Sequence, residues 1–137
     1  MTDKTKTFYE QEVERITENH YFQRHLYIQV RQSKAFMEKY HSENINLQEI
    51  AAAASMSRFH FIRIFQQVYG LTPRQFLRDL RITKAKELLK KGLSVTQTCF
   101  EVGYESVSTF SSAFKRGTGY SPKKYQMMNN SNPEEDY

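Results

Sequence analysis

The chain has 137 residues, 39% of them hydrophobic, with a formal net charge of +5 and a single cysteine. That length holds one domain, or two very small units sharing a core, and one cysteine excludes an internal disulfide. No apolar run reaches the roughly 18 residues of a membrane span, and the charged start (Asp3, Lys4, Lys6) lacks a signal-peptide apolar stretch, so a cytoplasmic protein is expected.

The sequence reads as all helical, because five glycines and three prolines are few and no alternating strand pattern persists. Residues 8–19 can form an amphipathic helix with Tyr9, Val13 and Ile16 on one face. Residues 27–40 can form a second, with Ala35, Phe36 and Tyr40 inward. The aromatics Phe8, Tyr9, Tyr21, Phe22 and Tyr27 are expected to cover the core. Asn46 opens a short helix to Ala54, with Glu49 as its capping-box partner. Ala54-Ser55-Met56-Ser57 makes a turn, and Ser57 caps a helix over 58–69 that stops at Gly70.

Thr72-Pro73-Arg74-Gln75 is a capping box with proline at the first helical position. It launches a helix to Lys91, stopped by Gly92, whose buried stripe is Leu77, Leu80, Ala85, Leu88 and Leu89. Ser94-Val95-Thr96-Gln97 starts another short helix, Gly103-Tyr104-Glu105 turns, and Ser106 or Glu105 caps a helix over 107–117. Ser121-Pro122 opens a last short helix, and the polar tail 129–137 reads as disordered.

One unit occurs twice. Leu47–Phe76 matches Val95–Tyr125 with an offset of 48 before the turn (Ala51 with Cys99, Met56 with Tyr104) and 49 after it (Phe61 with Phe110, Phe65 with Phe114, Gly70 with Gly119, Pro73 with Pro122). A single extra residue near Glu105 explains the change. Two helix-turn-helix-sized units on one connecting helix suggest two reading heads on one body. The expected organisation is an N-terminal helical extension (1–26), a first helix-turn-helix subdomain (27–71), a linker helix (72–92), a second subdomain (93–128) and the tail (129–137). Charge follows this division. Residues 57–125 carry 13 basic and 4 acidic side chains, whereas residues 1–56 carry 7 and 8. A polyanion partner fits that stretch.

A helical wheel separates two faces on each second helix. On 58–69, Phe61, Ile64, Phe65 and Val68 turn inward, and Ser57, Arg58, Phe59, Ile62, Arg63, Gln66 and Gln67 form the candidate DNA-binding set. Arg63 and Gln66 are the types that read guanine and adenine through paired hydrogen bonds, and Phe59 or Ile62 can meet a thymine methyl or pack on neighbouring helices. On 107–117, Phe110, Ala113 and Phe114 turn inward, while Ser106, Val107, Ser108, Thr109, Ser111, Ser112, Lys115 and Arg116 form the second set. Ser112 stands where Arg63 stands in the first copy. The first helix is therefore expected to discriminate sequence and the second mainly to hold phosphates.

These residues resemble the AraC/XylS family of bacterial transcription regulators over about 27–126. The motifs are Ser57-Arg-Phe-His-Phe-Ile-Arg-Ile-Phe, Gly70-Leu-Thr-Pro, Leu80-Arg-Ile-Thr-Lys-Ala-Lys-Glu-Leu-Leu, Val102-Gly-Tyr, Phe110-Ser-Ser-Ala-Phe-Lys and Gly119-Tyr-Ser-Pro-Lys-Lys-Tyr. The resemblance implies an all-α fold of two helix-turn-helix subdomains joined by a long helix, entering adjacent major grooves on one face of a promoter site of about 20 bp. It also implies an activator that meets RNA polymerase and binds as a monomer, with residues 1–26 as the surface available for a dimer. Family members usually carry an arginine at the position of Ser112. Many also have an N-terminal sensing domain; the chain resembles the small stand-alone branch or the DNA-binding fragment of a larger regulator.

An enzyme needs a converging constellation, and none is visible. His20, His25, His41 and His60 have no metal-type spacing with Cys99, and glycine-rich phosphate loops are absent. No catalytic residue, metal or cofactor is expected, and Cys99 reads as a small core residue. The rival reading is a helical adaptor whose Phe59 and Ile62 grip a protein partner.

Overall fold

The computed structural model describes residues 7–130, and among them the chain is all α. The helices are α1 (Phe8–Tyr40), α2 (Leu47–Ala53), α3 (Arg58–Tyr69), α4 (Pro73–Lys90), α5 (Val95–Glu101), α6 (Val107–Thr118) and α7 (Pro122–Asn130). Local sequence sets most boundaries. Thr72 with Gln75 and Ser94 with Gln97 form complete capping boxes at the starts of α4 and α5. Asn46 accepts from the Glu49 amide, but Glu49 returns its bond to the Asn46 side chain rather than to its backbone. Gly70 and Gly119 close α3 and α6 in the left-handed conformation, at φ +78° and +86°, which a side chain would oppose.

Two cores result. The first gathers Val30, Met37, Ile50, Ala51, Ala54, Phe61, Phe65 and Leu77; the second gathers Ile82, Ala85, Leu89, Cys99, Val102, Phe110 and Phe114. The repeat is copied down to ring geometry. Phe65 meets Phe76 edge-on at 5.7 Å and 70°, and their counterparts Phe114 and Tyr125 meet at 5.3 Å and 74°. Cys99 fills the slot of Ala51, fully buried, and burial pushes its thiol pKa up. Helix α4 serves both cores, with Leu77 in the first and Ile82, Ala85 and Leu89 in the second. Ile82 is thus the centre of a stripe expected without it, while Leu80 and Leu88 sit half-buried at the core edges.

The N-terminal region departs from expectation. Residues 8–19 and 27–40 belong to one uninterrupted helix of 33 residues, opened by a Thr7–Glu10 capping box, and it crosses the anticipated 26/27 boundary. No glycine or proline lies between positions 8 and 40 to break it. Only Val30, Ser33 and Met37 of α1 are buried; Ala35, expected inward, is exposed. At 1.5 Å per residue the helix is about 50 Å long, and its buried residues all lie in its C-terminal third. Consequently Phe8, Tyr9, Tyr21, Phe22 and Tyr27 cover no core, with exposures between 46% and 78%. At the other end, Asn129 and Asn130 continue α7, and residues 131–137 lie outside the described residues.

Candidate nucleic-acid interface

In each head the second helix of the pair buries two phenylalanines, Phe61 and Phe65 on α3 and Phe110 and Phe114 on α6, and turns the opposite face outward. On α3, Ser57, Arg58, Phe59, Arg63, Gln66 and Gln67 are exposed and Ile62 is half-buried. Phe59 is 76% exposed, with the Arg58 guanidinium 5.1 Å over its ring, so it does not pack on the N-terminal or linker helices. Arg63 donates through Nη2 to Nδ1 of His60, 3.2 Å away and one turn earlier. His60 was absent from the sequence-derived set; its spacing of three from Arg63 was the available signal. Val68, expected inward, is 36% exposed at the end of α3, where Tyr69 takes the inner position against Phe65 and Phe76.

On α6, Ser108, Thr109, Ser112, Lys115 and Arg116 are exposed, and Ser106 and Ser111 are half-buried. Val107 departs from its outward assignment by packing against the second core. A first-turn side chain leans toward the N-terminal end of its helix, which here carries Val107 over the core edge. Ser106 caps α6 by accepting from the Thr109 amide at 3.2 Å. No long amide or guanidinium stands in the middle of this face, where Arg63 stands on α3.

Between the heads lies a cleft of about 440 Å³ whose lining includes Asn46, Arg74, Arg78, Arg81, Tyr104, Thr109 and Arg116, with no acidic residue. Arg74, Arg78 and Asn46 were not in the sequence-derived set. They sit on α4 and before α2, outside the recognition helices, so a helical wheel of α3 or α6 could not find them. Arg78 Nε is buried with no hydrogen-bond partner, and the Asp79 carboxylate lies 3.8 Å from it. A desolvated, unsatisfied guanidinium edge is costly unless an anion approaches. Arg81 is held differently: burial lowers its guanidinium pKa, and neighbouring Tyr104 opposes that shift.

Comparison with known proteins identifies the arrangement. A helix-turn-helix domain family of the AraC/XylS type matches residues 50–128, more than half of the chain. The chain belongs to the AraC/XylS family. It is 42% identical over 82 residues to an uncharacterised regulator of Haemophilus influenzae, a match covering 59% of this chain and 28% of that protein. It is 34% identical over 91 residues to the transcriptional activator RhaS of Escherichia fergusonii, covering 66% of this chain and 33% of RhaS. Among solved structures, the DNA-binding domain of AdpA in complex with a target DNA superposes with a TM-score of 0.72 at 27% identity, covering 77% of this chain and 96% of that one. The AraC-family chain is therefore a DNA-binding helix-turn-helix protein, and it spans about a third or less of the length of the Haemophilus protein and RhaS. Among its described residues no helix is long and apolar enough to cross a membrane.

Proposed function

We propose that this AraC-family protein binds a specific duplex of about 20 bp by inserting α3 and α6 into adjacent major grooves and regulates transcription from that site in the cytoplasm. The observation that carries the reading is the pair of outward polar faces built on superposable phenylalanine cores and joined by one helix. Helix α4 has 18 residues, a rise of about 27 Å, of the order of the roughly 34 Å between successive turns of a groove. Arg63 and Gln66 carry base discrimination, with Phe59 and Ile62 offering apolar contact to thymine methyls. Ser108, Ser111, Ser112, Lys115 and Arg116 hold phosphates, and the arginine-lined cleft faces the backbone between the two grooves. The named activator RhaS among its relatives supports an activating role through RNA polymerase.

Selection of bound duplexes from a random pool tests this directly. The expected outcome is an asymmetric site whose half nearest α3 is strongly specified and whose other half is loosely specified. Affinity should fall steeply with salt, about −0.9 in log–log slope for each phosphate neutralised, and Lys115→Ala should reduce that slope by about one unit on any duplex. Recovery of no enriched sequence, with salt-independent binding, would falsify the reading and favour the protein-adaptor alternative.

A further inference from the structure

The two heads are bonded to each other at a joint whose parts come from three places in the chain. Arg81, near the middle of α4, donates from Nε to the carbonyl of His41 at 2.8 Å and from Nη2 to the carbonyl of Glu43 at 2.9 Å. Both carbonyls belong to the end of α1 and the loop after it, where backbone acceptors are left over by the helix and the dipole is negative. The same guanidinium lies 5.3 Å over the ring of Tyr104, in the α5–α6 turn of the second head. Beside it, Asn44 Nδ2 donates to Glu105 Oε1 at 2.6 Å, a second bond across the heads. Gly103 presses so close that a Cβ there would stand 2.7 Å from the His41 carbonyl and 3.0 Å from Arg81 Nε.

Glu105 is the single residue by which the second copy of the repeat exceeds the first. The turn of the first head, Ala54-Ser55-Met56-Ser57, has no counterpart to it. The asymmetry of the duplication therefore coincides with the contact that fixes one copy against the other.

We propose that Arg81, with the Asn44–Glu105 bond, is a positioning device that sets the distance and rotation between α3 and α6, and so the spacing the protein accepts between the two halves of its DNA site. Arg81 need not touch DNA to do this. Its cation is desolvated, paired with two carbonyls and stacked on an aromatic ring, an arrangement that a flexible ammonium cannot reproduce. One base pair inserted between the halves rotates and displaces the second half by about a tenth of a turn, so a rigid joint rejects it and a loose joint does not.

The inference rests on the proposed DNA reading, and two measurements separate their failures. The first uses the selected site and versions with one base pair added or removed between its halves. The full chain should lose at least tenfold in affinity on either altered spacing, whereas Arg81→Ala should show a penalty below threefold, with Arg81→Lys between them. A merely structural Arg81 would weaken all three duplexes by the same factor, and that result overturns the proposal. The second needs no DNA. Spin labels at Gln67→Cys and Lys123→Cys, in a Cys99→Ala background, should give one narrow interhead distance that broadens in Arg81→Ala. Should Arg81→Ala not fold, Asn44→Ala and Glu105→Ala each remove the second bond of the same joint at exposed residues and should broaden both readouts. Unchanged spacing penalty and unchanged distance width in those variants reject the joint. If the wild type selects no site, the DNA reading fails, while the distance measurement still decides the joint.

Discussion

The first head and the second are nearly one object inside and two objects outside. Phe61 and Phe65 lie 5.6 Å apart at 59°, and Phe110 and Phe114 lie 5.8 Å apart at 56°. Outside, Phe59, Arg63 and Gln66 face solvent where the second head has Ser108, Ser112 and Lys115, and half-buried Ile62 stands where it has Ser111. A close-packed interior tolerates little change in volume, while a solvated face tolerates almost any polar side chain. The duplicated core thus kept its ring geometry, while the outward faces were free to diverge. One substitution inside the core changes its polarity. Thr98 occupies the slot of Ile50, fully buried, and its hydroxyl has no hydrogen-bond partner.

The largest effect should come from testing the shared interior. Phe65→Ala and Phe114→Ala should each cost about 3–5 kcal/mol in denaturant unfolding, and a difference of more than about 2 kcal/mol between them would show that the cores are not equivalent. Next comes the divergent surface. Arg63→Ala should cost about 1–3 kcal/mol on the selected site and relax preference at one base pair, with far less loss on random duplex; equal losses would remove Arg63 from base reading. The converse exchange, Ser112→Arg, should sharpen preference at a single position in the other half by up to a similar amount. A repeated selection with no new specified base would show that the second helix does not approach base edges.

A smaller effect is expected at the odd core position. Thr98→Val removes an unsatisfied hydroxyl at nearly constant volume and should leave stability unchanged or raise it by about 1 kcal/mol, whereas a clear loss would mean the hydroxyl finds a partner. The smallest concerns pH. Burial raises the pKa of the Cys99 thiol and of the Tyr104 phenol, so the folded protein binds these protons more tightly than the unfolded chain. Their contribution is fully present below the unfolded values, about 8.5 and 10, and is lost as pH rises through the folded ones. Cys99→Ala should flatten the earlier part of that decline in thermal unfolding between about pH 8 and 10.

Helix starts and stops, the duplicated cores and the outward faces of α3 and α6 were legible in the chain, because capping boxes, glycine caps and helical periodicity act within four residues or so. The continuity of α1 was less so. Its apolar residues follow no single stripe, and only Val30, Ser33 and Met37 find a core. The arginine-lined cleft left no local trace, and of the Arg81 joint the chain showed only the extra residue at Glu105, not the groups it meets. The bonded partners of the joint lie 38, 40 and 61 residues apart in sequence, and they meet only once the helices have packed. The amino-acid sequence alone decided that there would be two helix-turn-helix heads and which faces they would show; packing between helices decided how those heads are held to one another, since that depends on close approach at Gly103 and on the half-buried Arg81 cation.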